Sequence, residues 1–481
     1  MNFQPEGFWK NLNNYNTNPA LLDTLTGEEV SYSQLDTESD LISQKILLPK
    51  KGLIFLFTTN NAESVITYIA ILKSGNSVLL LDEKLNEEIR RGLIDNYGPD
   101  IIISSNESLP EGYSHSFEYK SLEFLKRDIE MPTDIYPDLA VLLSTSGTTG
   151  SPKLVRLSYK NIQSNAESIA EYLAIVNDEK PITTLPFNYS FGLSIINSHL
   201  LKGALIVLTE KTVFFREFWN LFNEYKCTSF AGVPYTYTML KRIGFEKIDL
   251  PTLRYFTQAG GKLSEEFIKH FNNYASSNNK KFFVMYGQTE ATARITYVPP
   301  EDLKNKIGSI GISIPGGNLK IMIDGVEISK PNEVGEIVYQ GDNVMLGYAE
   351  NKIDLSKGNE LNGILFTGDL GYKDSDGFFY VSGRMKRFIK IFGLRINLDE
   401  VQKMIENHFN ISVACTGKDE LLKILVHSDD HLTEVKVKEE VMKMYKLNFK
   451  SLIVKSTSQI PTNTNGKYDY NRINEMFDTE E

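Results

Sequence analysis

The chain has 481 residues, of which 41% are hydrophobic and 23% are charged, proportions typical of globular proteins and unlike those of disordered chains. Its length predicts two or three domains and argues against a single one. The 51 basic and 62 acidic residues give a net charge of −11, which argues against a general nucleic-acid binder because affinity for phosphate backbones needs a basic surface.

The first 300 residues alternate short apolar runs with stretches of helical spacing. The apolar runs predict strands at 53–57, 78–81, 101–103, 139–143, 205–208 and 282–285. Apolar residues at helical spacing predict helices near 65–72, 86–97, 161–173 and 214–225. Helical crossovers join parallel strands and cover both faces of a sheet, so this rhythm predicts an α/β fold with parallel-type sheets.

After Pro299 and Pro300 the pattern changes to short strands and glycine-rich turns, which is typical of an antiparallel sheet or a small β-barrel. A mixed α+β segment follows from about residue 387. We therefore predict a large N-terminal domain over 1–384, with its antiparallel part at about 300–384, and a small C-terminal domain over 387–481.

A loop rich in hydroxyl side chains, Ser144–Lys153, follows the predicted strand at 139–143. It contains six serines or threonines, two glycines and one lysine, which supply backbone N–H groups, hydroxyl donors and a cation for a polyphosphate. It lacks the glycine spacing of a Walker A loop, and the turn after the first strand lacks the glycines of a dinucleotide fingerprint. A flexible linker is the alternative, but the preceding buried strand and the Pro-Lys ending favour a phosphate loop. Its candidate phosphate-binding residues are Thr145, Ser146, Gly147, Thr148, Thr149 and Lys153.

A second candidate segment begins at Tyr286, where a predicted strand ends. Ligands of parallel sheets bind beyond the carboxyl ends of the strands. The chemistry of the side chains suggests Tyr286 for stacking on a base, Thr289 for a phosphate oxygen and Glu290 for Mg²⁺, a cation that prefers oxygen ligands. Taken alone, the Gln-Thr-Glu sequence is equally typical of a helix cap.

These segments, in this order, resemble the adenylate-forming superfamily, which includes acyl-CoA synthetases, amino-acid adenylation domains and luciferase. The resemblance covers nearly the whole chain, from Pro19 to Lys467. It implies that an acid reacts with Mg-ATP to give an acyl adenylate and pyrophosphate, and that a thiol then takes the acyl group. It also implies that the small C-terminal domain moves as a lid about a hinge.

The resemblance assigns further nucleotide contacts. The segment around Gly260, Gly261 and Lys262 would lie along the adenine, although a plain turn is an alternative for so short a signal. Gly287 and Gln288 belong to the segment of Tyr286. Asp369 lies between two glycines and would bind the ribose hydroxyls, while turn chemistry is again the alternative. Arg384 would meet the ribose or a phosphate.

The resemblance also assigns residues to the two reaction steps. Lys386 occupies the hinge position, where many relatives have aspartate and some have lysine. Lys390 and Gly393 would act in the thioester step, although a basic cluster is commonly a solvated face. Lys467 would be the lysine of the adenylation step, where its charge offsets that of the α-phosphate; alone, it would be interpreted as part of a surface loop.

The resemblance places the start of the acyl pocket at Asn188, Tyr189 and Ser190. The segment of Gly232 is expected to line the other side, and its small and aromatic residues suit a small or medium acid. Core packing is the alternative for the Gly232 segment. Amino-acid-activating relatives usually carry aspartate near Asn188, so a neutral side chain there lowers, without excluding, an amino acid as substrate.

The sequence does not identify the molecule that accepts the acyl group in the second step. Coenzyme A and a phosphopantetheinyl carrier protein acting in trans end in the same thiol. An amine, hydroxyl or oxygen acceptor and a noncatalytic binding relative are the remaining alternatives.

The compartment is predicted from cysteine usage and from the amino terminus. Cys227 and Cys415 are too few and too distant for a disulfide framework or a thiolate metal site. The amino terminus lacks the features of a secretory signal, and no apolar run approaches the roughly 20 residues that span a bilayer. We expect a cytoplasmic protein without membrane insertion.

Overall fold

The structure is a computed structural model that describes residues 6–105, 110–129, 134–144, 153–384, 387–391, 394–418, 420–445, 447–462 and 468–478. The chain forms two compact units. The first contains residues 1–318 and 339–365, and the second contains residues 319–338 and 366–481. The hinge predicted at Lys386 lies outside the described residues, and the domain boundary there stays a prediction.

The strands are numbered in chain order. In the first 300 residues they are β1 (Pro19–Asp23), β2 (Glu29–Ser31), β3 (Leu53–Thr58), β4 (Ser77–Asp82), β5 (Ile101–Ser104), β6 (Tyr113–Tyr119), β7 (Leu122–Arg127), β8 (Leu139–Ser144), β9 (Leu154–Ser158), β10 (Ile206–Leu208), β11 (Ser229–Gly232), β12 (Tyr255–Gln258), β13 (Lys281–Tyr286) and β14 (Thr296–Val298). The remaining strands are β15 (Ile312–Ser313), β16 (Asn318–Ile323), β17 (Val326–Glu327), β18 (Gly335–Gln340), β19 (Gly347–Ala349), β20 (Ile364–Lys373), β21 (Phe379–Arg384), β22 (Phe388–Ile391), β23 (Leu394–Asn397), β24 (Val413–Lys418), β25 (Leu421–His427) and β26 (Leu452–Thr457).

The α-helices are α1 (Tyr32–Lys45), α2 (Ala62–Ser74), α3 (Glu87–Tyr97), α4 (Tyr159–Tyr172), α5 (Ser190–Leu201), α6 (Arg216–Glu224), α7 (Pro234–Ile243), α8 (Glu265–Ser277), α9 (Leu398–Phe409), α10 (His431–Tyr445) and α11 (Tyr470–Asp478). Several of them begin with a side-chain cap. In α2, the Asn61 side chain accepts a hydrogen bond from the Ser64 backbone N–H, and Gly75 ends the helix in the left-handed conformation.

The largest sheet of the first unit has eight strands in the order β19-β9-β8-β4-β3-β5-β7-β6. All six residues of β3 are buried. Their side chains alternate between two apolar clusters, with Ile54 and Leu56 in one and Leu53, Phe55 and Phe57 in the other. Helices therefore cover both faces of this sheet, as the near-continuous apolar runs predict.

The central strands of this sheet, β5, β3, β4 and β8, are parallel, whereas β7 and β9 run antiparallel to their neighbours. The predicted α/β class is confirmed, but the strand rhythm does not predict these antiparallel strands. The cause for β9 is connection length. Residues 145–153 separate it from β8, and a parallel crossover needs a longer connection, usually with a helix.

A second sheet of the first unit carries the segments that the sequence analysis selects. Its order is β11-β12-β13-β14-β15, and β11, β12 and β13 are parallel in the register Gly232, Gln258 and Val284. The segments that begin at Gly232, Ala259 and Tyr286 consequently leave the same edge of one sheet.

The second unit contains the five-stranded sheet β17-β16-β18-β20-β21, the hairpin of β22 and β23, and the sheet β24-β25-β26. Side chains of α9 and α10, including Val401 and Val437, are buried in the apolar cluster around this last sheet. Its antiparallel and α+β character agrees with the prediction for the last third of the chain. Within the part of the chain that the structure describes, none of the helices is both long and apolar enough to cross a membrane.

Buried His199 predicts a pH dependence of stability. Its Nδ1 lies 2.8 Å from the Ile195 carbonyl oxygen and its Nε2 lies 3.2 Å from the Tyr255 hydroxyl, so it links α5 to β12. Burial lowers the pKa of His199 to about 4, below the usual value of roughly 6.5 in an unfolded chain. The unfolded state therefore binds the extra proton first, and stability is lost as the pH falls from about 6.5 towards 4.

We expect this group to remove about 2 kcal/mol from the free energy of unfolding between pH 7.5 and 5. Urea unfolding followed by tryptophan fluorescence measures it, because Trp9 and Trp219 both lie in the first unit. The variant His199→Gln should lose less stability over this range than the wild type. Equal losses would contradict the prediction.

Candidate active site

The candidate site of the first unit is built on the turn that follows β13. Residues 289–291 form one turn of 3₁₀ helix, and Thr292 has a positive φ of 63°. The Asn343 side-chain amide donates hydrogen bonds to the carbonyl oxygens of Ala291 and Arg294, at 2.9 and 2.8 Å. The Thr292 hydroxyl donates to the Asn343 carbonyl oxygen at 2.7 Å. A residue about 50 positions away thus fixes the shape of the turn.

Glu290, the predicted Mg²⁺ ligand, is half-buried on this turn and held by Tyr348. The Tyr348 hydroxyl donates to Glu290 Oε1 at 2.8 Å. Burial, and next the charge of Glu290, raise the pKa of the Tyr348 phenol, which therefore stays a donor. An anionic oxygen at this position suits Mg²⁺.

Lys153, at the end of the predicted phosphate loop, lies beside the same tyrosine. Its Nζ is 4.0 Å from the centroid of the Tyr348 ring and 3.6 Å from Glu350 Oε1. Tyr348 therefore connects the lysine of the phosphate loop to Glu290.

The ends of the predicted phosphate loop are fixed in the eight-stranded sheet, because Ser144 at the end of β8 pairs with Leu154 of β9. The candidate residues Thr145, Ser146, Gly147, Thr148 and Thr149 lie outside the described residues. Their role in phosphate binding stays a prediction.

Thr289 and the predicted acyl pocket meet at the start of α5. Thr289 Oγ1 lies 3.2 Å from Ser190 Oγ. The hydroxyl of Tyr189 approaches Gly260 so closely that a Cβ there would lie 2.9 Å from it. Gly232, at the end of β11, is equally enclosed, since its Cβ would meet the side chains of Thr236 and Tyr237 at 2.9 Å.

Asn188 has different surroundings from Tyr189 and Ser190. It lines a crevice of about 180 Å³ whose walls include Thr59, Thr184 and Glu210. The structure thus brings Tyr189 and Ser190 to the candidate nucleotide segments and gives Asn188 a separate, polar crevice.

The candidate adenine segment leaves β12 in a fixed turn. Gly260 has a positive φ of 84°, a conformation that glycine adopts at little cost. The Gln258 side chain donates to the Gly261 carbonyl oxygen at 2.8 Å. Lys262 is exposed. In the neighbouring segment, Gln288 donates to the Tyr286 hydroxyl at 3.1 Å, and both side chains are half-buried.

The second unit carries the predicted ribose contacts. Asp369 of β20 and Arg384 of β21 are cross-strand partners, and the Arg384 Nε lies 3.1 Å from Asp369 Oδ1. Asp369 is buried and Arg384 is largely exposed. The two residues that are predicted to bind the ribose therefore form an ion pair with each other. A ribose bound there would contact this ion pair.

The remaining predicted residues of this unit are not described in full. Lys386, Gly393 and Lys467 lie outside the described residues, as does the side chain of Lys390, whose backbone pairs with Arg395 in the β22–β23 hairpin. A bridge between Thr462 and Tyr468 flanks the segment that contains Lys467. Their roles stay predictions.

Three residues near the site were missed by the sequence analysis: Tyr348, Asn343 and Arg294. Tyr348 and Asn343 contact the turn after β13 from a segment that is 49 to 58 residues away in the sequence, so no local pattern identifies them. Arg294 is a single basic residue in a stretch that otherwise suggests a strand. The only available signal was its position a few residues after the Gln-Thr-Glu sequence.

Gly287 offers a direct test of the tight turn. A Cβ on Gly287 would lie 1.9 Å from the Ala293 carbonyl oxygen, so Gly287→Ala must displace backbone. We expect a loss of about 1–3 kcal/mol in the free energy of unfolding, comparable to overpacking in a core, together with weaker AMP binding. Urea unfolding measures the change in the free energy of unfolding, and calorimetry measures the affinity for AMP.

Gly92→Ala is the matched control for Gly287→Ala. Gly92 is an exposed glycine of α3 with no atom within 4 Å of its Cβ position. Alanine in a helix interior stabilises by up to about 1 kcal/mol relative to glycine, so this variant should be at least as stable as the wild type. Equal behaviour of the two variants would contradict the packing argument.

Several known proteins are similar to this chain in sequence and in fold. The AMP-binding enzyme family matches residues 8–349. The 2-succinylbenzoate–CoA ligase of Oceanobacillus iheyensis is 29% identical over 390 residues, which cover 79% of each chain. Luciferin 4-monooxygenase of Nipponoluciola cruciata is 26% identical over 448 residues, covering 89% of this chain and 76% of that protein.

A solved structure shows the same fold over nearly all of the chain. It is the o-succinylbenzoate CoA synthetase of Bacillus subtilis in complex with an acyl-adenylate intermediate, with a TM-score of 0.75, 24% identity and 98% coverage of both chains. The predicted resemblance to the adenylate-forming superfamily is confirmed by these matches. Because the family match spans well over half of the sequence, this chain belongs to the AMP-binding enzyme family.

Proposed function

We propose that the protein activates a small carboxylic acid with ATP, releasing pyrophosphate and forming an acyl adenylate, and then transfers the acyl group to a thiol. The observation that carries the proposal is that Lys153 and Glu290 both contact Tyr348, the lysine at its ring and the carboxylate at its hydroxyl. A cation from the end of the phosphate loop and a hard anionic ligand thus share one neighbour in the first unit. Phosphoryl-group chemistry depends mainly on such positioned charges.

In the first step, a carboxylate oxygen attacks the α-phosphorus of ATP and the bond to the bridging oxygen breaks. Pyrophosphate leaves with the electron pair. Lys153 offsets part of the charge on the phosphates, and the Thr289 hydroxyl donates a hydrogen bond to a phosphate oxygen. Mg²⁺, when bound by Glu290, supplies further neutralisation of the phosphate charge.

The acid would enter beside Tyr189 and Ser190. These residues begin α5, and Ser190 lies in contact with Thr289, so an acid at this position would have its carboxylate next to the α-phosphate. Holding the two reactants in this geometry removes much of the entropic barrier to their reaction.

In the second step, a thiolate attacks the acyl carbonyl and AMP leaves. We assign the hinge to Lys386, the thioester-step surface to Lys390 and Gly393, and the adenylation lysine to Lys467, because the chain carries the family's segments at these positions. A lid that alternates between two positions would let one site serve both steps. Coenzyme A is the acceptor that we favour, since the first relative named above is a CoA ligase. A carrier protein acting in trans is the alternative.

A non-thiol acceptor is the second candidate function. The likeness to luciferin 4-monooxygenase over 448 residues favours it, because that protein is named as an oxygenase. This candidate predicts adenylate formation without a thioester on any pantetheine thiol.

ATP–pyrophosphate exchange over a broad panel of acids tests the first step. We expect exchange with at least one acid, and mass spectrometry should then detect its thioester on coenzyme A or on a carrier protein. Exchange without any thioester would favour the second candidate. If no acid supports exchange, the proposed enzyme function is wrong and a binding role becomes the better interpretation.

A further inference from the structure

Arg294, two residues before β14, is a buried cation without a counter-charge among the described residues. Only 3% of the residue is exposed, and its Nε has no hydrogen-bond partner within the described parts of the chain. Among the residues that the structure describes, no carboxylate forms an ion pair with it. Arg156 of β9, another buried arginine of this unit, does have such a partner in Glu360. Burying an unpaired charge is unfavourable by several kcal/mol, so this exception needs an explanation.

The groups around Arg294 are neutral and aromatic. Its Cζ lies 3.9 Å from the centroid of the Phe191 ring. The other groups that act on its charge are the phenols of Tyr172 and Tyr189. Burial raises the pKa of both phenols, so neither supplies a negative charge near neutral pH. Aromatic faces and phenol dipoles stabilise the cation in part, and they leave its full charge uncompensated.

The position of Arg294 links it to the candidate acyl pocket. Phe191 and Tyr189 belong to the start of α5, where Ser190 contacts Thr289. The hydroxyl of Tyr189 also approaches Gly260. The backbone N–H of Ile295, the residue after Arg294, donates a hydrogen bond to the Tyr286 carbonyl oxygen at 3.0 Å. Two neighbours of the unpaired cation, Tyr189 and Phe191, therefore flank Ser190 in the segment that the proposed reaction uses.

We infer that Arg294 is a specificity-determining residue that binds a second carboxylate of the acid, so that the preferred substrate is a dicarboxylic acid. This inference rests on the proposed function and names the substrate class of that same site. One carboxylate of the acid lies beside Ser190 and Thr289 and reacts with ATP. The other reaches the guanidinium, whose planar set of N–H donors matches a carboxylate with two parallel hydrogen bonds.

The first test uses the wild-type protein and matched pairs of acids. Each pair has the same number of carbon atoms and contains one monocarboxylic and one dicarboxylic acid. For the best pair we expect the kcat/KM of adenylate formation to be about 100-fold higher for the diacid, the order expected for a buried charge-assisted hydrogen-bonded pair. A monoacid that matches or exceeds its diacid in every pair would overturn the inference.

Variants of Arg294 distinguish substrate binding from a purely structural role. Arg294→Met keeps an apolar side chain of similar length and removes the charge, and it should reduce the diacid-to-monoacid ratio by about 100-fold. Arg294→Lys keeps the charge without the planar donor set and should reduce the ratio less. A structural role would change kcat/KM for both acids by the same factor and leave the ratio unchanged, which would also overturn the inference.

Arg254→Met is the control, because the Arg254 guanidinium already pairs with Asp178 at 2.7 Å; it should leave the ratio unchanged. If Arg294→Met does not fold, the wild-type pairs and Arg294→Lys decide the question. Calorimetric binding of the diacids separates this inference from the proposed function. Binding that needs Arg294 without pyrophosphate exchange would contradict the function and support the inference. Pyrophosphate exchange without a preference for diacids would support the proposed function and contradict the inference. If the protein shows neither exchange nor diacid binding, both the proposed function and the inference are wrong.

Discussion

Lys467→Ala is expected to slow adenylate formation by about 100- to 1000-fold, the effect of removing one positioned charge from a transition state. Attack on the α-phosphate concentrates negative charge there, and the proposed role of Lys467 is to offset it. Thioester formation from a preformed adenylate should change only a few-fold, because the proposed lid withdraws the lysine before that step. Pyrophosphate exchange and single-turnover transfer measure the two steps separately.

Lys450→Ala serves as the control for Lys467→Ala, since Lys450 is an exposed lysine of the same unit. It should leave both steps unchanged. A variant at Lys467 that slows both steps by the same factor would contradict the two-position lid and favour a simple binding defect.

Glu290→Gln is expected to lower the rate of adenylate formation by about 100-fold and to raise the Mg²⁺ concentration needed for half-maximal activity. The amide oxygen can still accept the hydrogen bond that Tyr348 donates at 2.8 Å, so the turn should keep its shape. The anionic oxygen that Mg²⁺ prefers is lost. Initial rates over a Mg²⁺ titration measure both effects.

Two further variants serve as comparisons for Glu290→Gln. Tyr348→Phe removes only the hydrogen bond to the carboxylate and should have a smaller effect, of about tenfold or less. Glu301→Gln removes a carboxylate from an exposed position of the same unit and should have none. An unchanged Mg²⁺ dependence in Glu290→Gln would show that Glu290 is not the metal ligand.

The sequence predicts β3, β4, β5, β8, β10 and β13, because an apolar run such as 53–57 needs no information beyond itself. It does not predict β9, β11 or β12, although every residue of these strands is buried. It predicts β6 and β7 poorly. In β6 most side chains are exposed or half-buried and only Tyr113 is buried, so the run has neither a continuous apolar character nor a clear alternation. The direction of β9 also depends on pairing with β8, which the local pattern does not contain.

In the candidate site, too, the sequence predicts the features that depend on neighbouring residues and misses those that depend on distant ones. The phosphate loop and the segment from Tyr286 to Glu290 are recognisable because their residue types lie together in the sequence. The ion pair of Asp369 with Arg384 depends on the register of two strands, and the link from Lys153 to Glu290 depends on Tyr348. Such contacts between distant residues require the fold.

The hydrogen bonds from Asn343 to the turn after β13 limit where this chain can be joined to segments of its relatives in a chimera. Two backbone carbonyl groups of the turn depend on this one side chain, which in turn accepts a hydrogen bond from Tyr339 at 2.8 Å. A chimera that takes residues 286–294 from another protein would keep these contacts only by chance. Crossover points for domain grafting should therefore lie outside residues 286–349, so that both parts are inherited together.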